Sequence, residues 1–262
     1  MNHWMNNNNF ESNSHGVITL VGSHGMGLEF MGGNFKNYTK LGKQYGVSHG
    51  ICYSIIDLFI KAMLLLHSDV IVWPNATQKT ILKALHTEQH EMKGLIGFID
   101  GTHIPIINYA FNEQKIDFTN RKSFYSINLT VVVDQNERVI AANYGQPGRE
   151  GDSTVYRLMD IYCNSTLYSD DGEYLFGDKA YPLSKTLITP FKGISRDGIS
   201  GKSFFNYKHA SVRSVVERAI GRIKARWAIL NIIHVRSKEK ADSKQQLLPK
   251  NLQPNVLSWL YH

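Results

Sequence analysis

The stretch Gly94 to Ile107, G-L-I-G-F-I-D-G-T-H-I-P-I-I, constrains this chain more than any other. Leu95, Ile96, Phe98 and Ile99 make a nearly continuous apolar run, the pattern of a strand buried on both faces. Asp100 is set into that run, and burial penalises a carboxylate heavily unless it is paired or binds a cation. Gly101 permits a tight turn beside it, and Pro105 marks the strand's far end or an exposed edge. A lone Asp at a strand end is usually turn chemistry. Further acids in matching contexts change that reading.

Three follow. Tyr174-Leu175-Phe176 reads as a short apolar strand ending in Gly177-Asp178, again a carboxylate just past a buried strand. The loop Gly145 to Gly151 delivers Asp152 to the start of a helix running to about Tyr162, where a helix N-cap explains it equally well. Glu217 borders the apolar stripe Val212, Val215, Val216, Ala219, Ile220, Ile223, Trp227 and Leu230, which keeps helical period over about five turns. Its bland reading is an i, i+4 pair with Arg213, worth about 0.2–0.5 kcal/mol. The other reading is an acid held at the seam between helix and sheet.

Between these acids Phe124 to Val133 is β-rich, Asp134 to Glu137 is a turn, and Arg138 to Tyr144 is a third strand. Thr186 to Phe191 supplies a fifth strand, and Lys192 to Phe204 reads as a loop. This order predicts an α/β fold, a mixed five-stranded sheet with flanking helices. The first and fourth strands can then lie side by side, with Asp100 and Asp178 at neighbouring strand ends and Glu217 reaching down from the last helix. Carboxylates so close need a counter-charge, because each raises the others' pKa. Oxygen ligands suit Mg²⁺ or Mn²⁺, and two such ions about 3.5–4 Å apart serve phosphodiester cleavage.

The net charge of +7 points the same way. Ten Lys and Arg lie between Gly201 and Lys240, opposed only by Glu217 and Glu239, so this one segment accounts for the whole excess. A solubilising helix face is the plain explanation; a footprint for a phosphate backbone is the one that clustering favours.

The first 92 residues are different. Residues 1–37 are Asn- and Gly-rich and predict an irregular lead, with at most a short helical turn around Val17 to Val21. From Tyr38 a short helix, the turn Gly46-Val47-Ser48 and a helix capped by Ser48 follow, with Ile51, Ile55, Leu58, Phe59, Ala62 and Leu65 on one face. This is the outline of a helix-turn-helix, and equally of an ordinary helical hairpin. Thr77 to His90 predicts a linking helix; His86 and His90 are four apart, but H-T-E-Q-H is not the zinc-binding H-E-x-x-H, and a solvated face is expected. The opening residues do not resemble a signal peptide, Asp57 and Lys61 interrupt the most apolar helix, and Cys52 and Cys163 form no C-x-x-C pair. A soluble intracellular chain with reduced thiols and no membrane span is the expectation. The expected divisions are 1–37, the helical region 38–92, a catalytic domain 93–236, and a tail 237–262.

From Ile99 to Leu230 the chain resembles the PIF/Harbinger family of DDE transposases and their host-domesticated nuclease relatives. The resemblance rests on F-I-D-G-T-H-I-P, N-R-K-S-F-Y-S-I-N, P-G-R-E-G-D-S, G-D-K-A-Y-P-L and F-N-Y-K-H-A-S-V-R-S-V-V-E-R-A-I-G-R-I-K-A-R-W-A-I-L. Tyr45 to Pro74 is similar to the family's helix-turn-helix region. The resemblance implies a ribonuclease H-like fold, metal-dependent nicking and joining of DNA ends, a nuclear location, and a Myb-like partner protein. Asp100, Asp178 and Glu217 match the family's acidic triad, and Asp152 a further acid serving as metal-site support or helix cap. His103, in D-G-T-H, is expected to be structural. Arg213, Arg218, Arg222, Lys224 and Arg226 are expected to contact phosphates, except where they face the sheet. The rival reading is a catalytically silent DNA-binding or adaptor protein, and a ribonuclease is a third. Relative to the family pattern, both ends of the sequence look shortened.

Overall fold

Helices come first in the computed structural model, which describes residues 20–33, 37–107, 115–194 and 201–234. Helix α1 (Leu20–Gly32) stands where an irregular lead was expected. Its glycines are poor helix formers, so tertiary packing makes this helix. Gly27 is the contact point: a Cβ there would lie 2.2 Å from the Phe59 ring of α3, so only glycine allows α1 to cross so closely. The Glu29 carboxylate accepts hydrogen bonds from Gln44 Nε2 at 2.8 Å and Tyr45 Oη at 2.7 Å, tying α1 to the helix that follows. The expected turn at Val17 to Val21 falls largely outside the described residues, as does the tail 237–262.

Helices α2 (Tyr38–Gln44) and α3 (His49–Leu65) meet at 97°, within the helix-turn-helix range, and Ser48 caps α3 as expected. The inward face of α3 corrects the sequence reading. Cys52, Ile56, Phe59, Ile60 and Met63 are buried, while Ile51, Leu58 and Leu65 are exposed. The helix is apolar around most of its circumference, so periodicity fits two faces, and the position of α1 decides between them. A short turn, α4 (His67–Val70), leads to α5 (Ala76–His90), opened by a capping box between Asn75 and Gln78.

Strand β1 (Leu95–Ile107) runs straight through Asp100 and Pro105 rather than ending there. Ile106 N–H donates to Tyr125 O on the β2 side, so the missing donor of Pro105 belongs to the other side, where β4 has already ended. After the turn α6 (Lys115–Phe118) come β2 (Ser126–Val133) and β3 (Val139–Pro147). The helix expected from Asp152 to Tyr162 is broken into α7 (Asp152–Arg157), α8 (Asp160–Cys163) and α9 (Ser165–Tyr168). Then come β4 (Tyr174–Phe176), β5 (Leu187–Ile188), the long α10 (Gly201–Arg226), one 3-10 turn at Ala228–Leu230, and β6 (Ile233–His234). Helix α10 begins at Gly201, inside the expected loop.

The main sheet order is β3-β2-β1-β4-β5, with β6 added to the end of β1. β1, β2 and β3 pair antiparallel, whereas β4 and β5 run parallel to β1. This mixed five-stranded path flanked by helices is the ribonuclease H-like arrangement. Side chains of β1 beyond Phe98 alternate cleanly. Phe98, Ile104 and Ile106 join Val212, Val215, Val216, Ala219 and Ile223 of α10 in one core that extends to α1 and α3. Ile99 joins Tyr156, Met159, Ile161 and Tyr181 on the opposite face. Helix α5 also leans on β1, which buries His86 against Phe98 at 5.4 Å between rings, not on a solvated face. Lys79 and Lys83 of α5 reach the buried Glu173 at 2.9 and 2.7 Å, and Trp73 Nε1 donates to Tyr168 O at 2.7 Å, fastening the helical region to the sheet.

Candidate active site at the ends of two parallel strands

The register of β1 against β4 positions the first two acids. Phe98 pairs with Phe176, so two residues further on Asp100 runs beside Asp178. Asp178 has left the strand, and its carboxylate accepts from Ala180 N–H at 2.8 Å in a local turn. Asp100 stays within β1 and accepts from Gly101 N–H at 2.9 Å. Strand alternation turns Asp100 toward α10, where Arg213 Nη1 meets its Oδ2 at 3.0 Å.

Gly101 faces the other way, and this opens the site to Asp152. A Cβ on Gly101 would lie 2.5 Å from Asp152 Oδ1 and 3.5 Å from Tyr181 Oη, so the glycine is required by the carboxylate packed on it. Asp152 is the first residue of α7, not its cap; Gly151 holds the cap position and no side chain caps the helix. Asp152 therefore does not cap α7, and its carboxylate packs against Gly101.

Electrostatics tie the group together. Burial raises the Asp100 pKa above the usual carboxylate range; Arg213 and the Gly101 N–H offset this only in part, and the charge of Asp178 adds to it. Burial also raises Asp152, and Asp178 raises it further. Tyr181 is raised well above the ordinary phenol value by burial and then by Asp152, Asp100 and Asp178. Positive charge from Arg213 at Asp100 and from Arg121 at Asp152 offsets this only in part. The donors of the acids are hard carboxylate oxygens, so the chemistry of the set fits Mg²⁺ or Mn²⁺. Even so, among the described residues no three His, Cys, Asp or Glu side chains stand close enough together to hold one ion. The cause is geometric: Asp100 and Asp152 lie on opposite faces of β1, and Glu217 is turned to Arg213, which bridges it to Asp100.

The basic residues of α10 are divided. Arg213 serves the acids. Arg218 and Arg222 both reach Glu137, at 3.1 and 2.7 Å, in the turn between β2 and β3. Lys224 donates to Thr102 Oγ1 at 2.7 Å and to His103 O at 2.9 Å, and burial lowers its pKa. The Arg226 guanidinium lies 5.6 Å from the Trp227 ring centre. His103 shares the face of Asp152 and hydrogen-bonds Ser126 through Nδ1 at 3.1 Å; burial lowers its pKa, and Asp152 works against that. Sequence reasoning gave no role to Tyr181, although the G-D-K-A-Y segment sets it three residues after Asp178. Nor did it foresee that Arg213 would neutralise Asp100 across the fold.

The sequence profile of the family described as DDE superfamily endonuclease matches residues 99–248, more than half the chain. The chain belongs to that family. Protein ALP1-like of Arabidopsis thaliana is 23% identical over 238 residues, covering 85% of this chain and 57% of that protein. Putative nuclease HARBI1 of Mus musculus is 23% identical over 205 residues, and the Homo sapiens protein of that name 22%; each match covers 77% of this chain and 56% of the relative. The chain thus spans little more than half the length of the curated relatives it matches. A crystal structure of a pre-cleavage Mos1 transpososome aligns over 80% of this chain and 81% of its own at 12% identity, with a TM-score of 0.25 that carries no argument. In this DDE superfamily member Asp100 and Asp178 both lie two residues past Phe98 and Phe176, the last pair of the parallel β1–β4 ladder.

Proposed function

We propose that this DDE superfamily protein is a divalent-metal-dependent DNA endonuclease of the transposase type, which cleaves phosphodiester bonds and transfers strands at DNA ends. The observation that supports it most is that Asp100 and Asp178 both follow the paired Phe98 and Phe176 of β1 and β4 and interact through their charges, with Asp152 against Gly101 on the far face. Asp100 and Asp178 would hold the metal, supported by Asp152 and, once released from Arg213, by Glu217. Two bound ions would polarise the scissile phosphate and lower the pKa of the attacking water. The rest falls to the chain itself. Arg213 offsets part of the burial penalty on the Asp100 carboxylate and orients it from the α10 side, and Tyr181 closes the other side with a buried ring. Lys224 donates to the Thr102 hydroxyl and the His103 carbonyl, which anchors α10 to the middle of the catalytic strand. A Myb-like partner and a nuclear location belong to the same proposal and rest on the family resemblance.

A second reading is favoured by one observation. The Arg213 bridge satisfies Asp100 and Glu217 without any metal, which suits a silent DNA-binding or adaptor protein. Supercoiled plasmid incubated with the protein in Mg²⁺, Mn²⁺ or EDTA separates the two. Metal-dependent nicking that disappears in Asp100→Asn and in Glu217→Gln supports the nuclease. Intact plasmid, from folded protein that binds DNA in a salt-sensitive way, supports the adaptor.

A further inference from the structure

At the start of α10 the surface changes character. Phe191, Phe204 and Tyr207 are 48%, 56% and 74% exposed. Lysines are interleaved with them: Lys202 Nζ lies 5.5 Å from the Phe191 ring centre and Lys208 Nζ 5.1 Å from that of Phe204. Lys192 is exposed beside Phe191, and Lys208 also reaches Glu91.

Phe191 is fixed from behind. Its backbone N–H donates to Asn206 Oδ1 at 2.8 Å, and Asn206 Nδ2 donates to its carbonyl at 2.9 Å. Its ring stands edge-on to Phe205 at 5.5 Å, and Phe205 packs in turn on Phe176 and His209. An exposed ring held this rigidly presents its face with little further ordering cost on binding. Asn206, Arg213 and Glu217 follow at intervals of seven and four, so they share one side of α10. From Asn206 to Arg213 the helix rises about 10 Å, or about three steps of 3.4 Å along a DNA strand.

We propose that Phe191, with Lys192 and Lys202, forms a stacking platform for unpaired bases next to the phosphate bound at the acidic site. Stacking on an aromatic face tolerates any base, and a lysine displaced from its ring can meet the adjoining phosphate. The inference rests on the reading of the acids as a DNA-cleaving site. It adds the form of the substrate: a duplex with a single-stranded stretch, not a blunt one.

Fluorescence anisotropy of the full chain in EDTA tests it, with a labelled blunt duplex and the same duplex carrying a single-stranded tail. The wild type should bind the tailed duplex more tightly. Phe191→Ala should weaken tailed binding by about tenfold and Lys202→Ala by less, both leaving blunt binding unchanged and unfolding at the wild-type temperature, while Phe191→Trp retains the preference. Equal wild-type affinity for both duplexes overturns the platform. So does an equal loss on both in the alanine variants, which marks a general surface or a protein-docking patch. If Phe191→Ala fails to fold, Phe191→Leu, which keeps apolar bulk against Phe205 but offers no aromatic face, decides. Plasmid nicking is scored separately: nicking without tail preference removes the platform alone, and tail preference without nicking removes only the nuclease reading.

Discussion

Removing Arg213 should expose the charge deficit of the acidic site. Its side chain is 16% exposed and that of Asp100 is 22% exposed, so the bond between them at 3.0 Å is largely shielded from water. In Arg213→Gln, Asp100 keeps the Gly101 N–H as a donor and still faces the charge of Asp178. Loss of a hydrogen bond between charged groups here should cost about 1.5–3 kcal/mol at neutral pH. The contact with Glu217 adds little, because that carboxylate is 56% exposed. The pH dependence identifies the cause. Burial already holds the Asp100 pKa above its unfolded value, and losing Arg213 raises it further. A carboxylate raised in the folded state destabilises only where the unfolded form would be ionised. The penalty is therefore absent below the unfolded carboxylate pKa and complete above the folded one. Urea denaturation of both proteins at acidic and neutral pH, with and without Mn²⁺, provides the measurement. The variant should be weakened at neutral pH and close to wild type in acid, and it should gain more from Mn²⁺ than the wild type does. A deficit that is the same at both pH values and indifferent to metal would show that Arg213 only packs, and the argument fails.

Three further outcomes follow from the same structure. Gly101→Ala must displace the Asp152 carboxylate, since its Cβ would lie 2.5 Å from Oδ1; a loss of about 1–3 kcal/mol is expected in thermal unfolding, together with weaker Mn²⁺ binding by calorimetry. Glu173→Gln leaves Lys79 and Lys83 facing a neutral group in a buried site and should cost about 3–5 kcal/mol at neutral pH. Burial alone would raise the Glu173 pKa, but Lys83 and Lys79 outweigh it and hold it down, so this stabilisation is present above the unfolded pKa and lost as pH falls through the folded one. A variant whose deficit does not shrink in acid contradicts this assignment. His86 is pushed down to about 4 by burial and then by His90, and neither of its ring nitrogens has a hydrogen-bond partner. Wild-type stability should therefore fall as pH drops from the unfolded histidine range toward about 4, and His86→Phe should be more stable with a flatter profile in chemical denaturation across that window.

Much of the site was legible in the chain because strand signals are local. An apolar run followed by a carboxylate, met at Asp100 and again at Asp178, combined with the order of elements to put the first and fourth strands side by side, as β1 and β4 are. The turn at Asp134 was equally readable: its carboxylate accepts from Asn136 and Arg138 N–H, as a short polar turn residue does. Helix α1 was not readable, because four glycines in thirteen residues argue against a helix, and only the crossing at Phe59 makes it one.

The distinction between faces needed the third dimension. The sequence by itself determined the five strands of the main sheet, the carboxylates that follow the apolar runs of β1 and β4, and family membership, since these depend on short-range pattern and motif spacing. Only the tertiary structure decided which side of α3 is buried, that His86 lies under α5 against Phe98, and that Asp100 and Asp152 stand on opposite faces of one strand. It also turned Arg213 inward to Asp100, an ion pair between residues more than a hundred positions apart. Period and propensity describe a segment against its own axis; which neighbour covers each side is set by contacts between segments, and a linear pattern does not contain them.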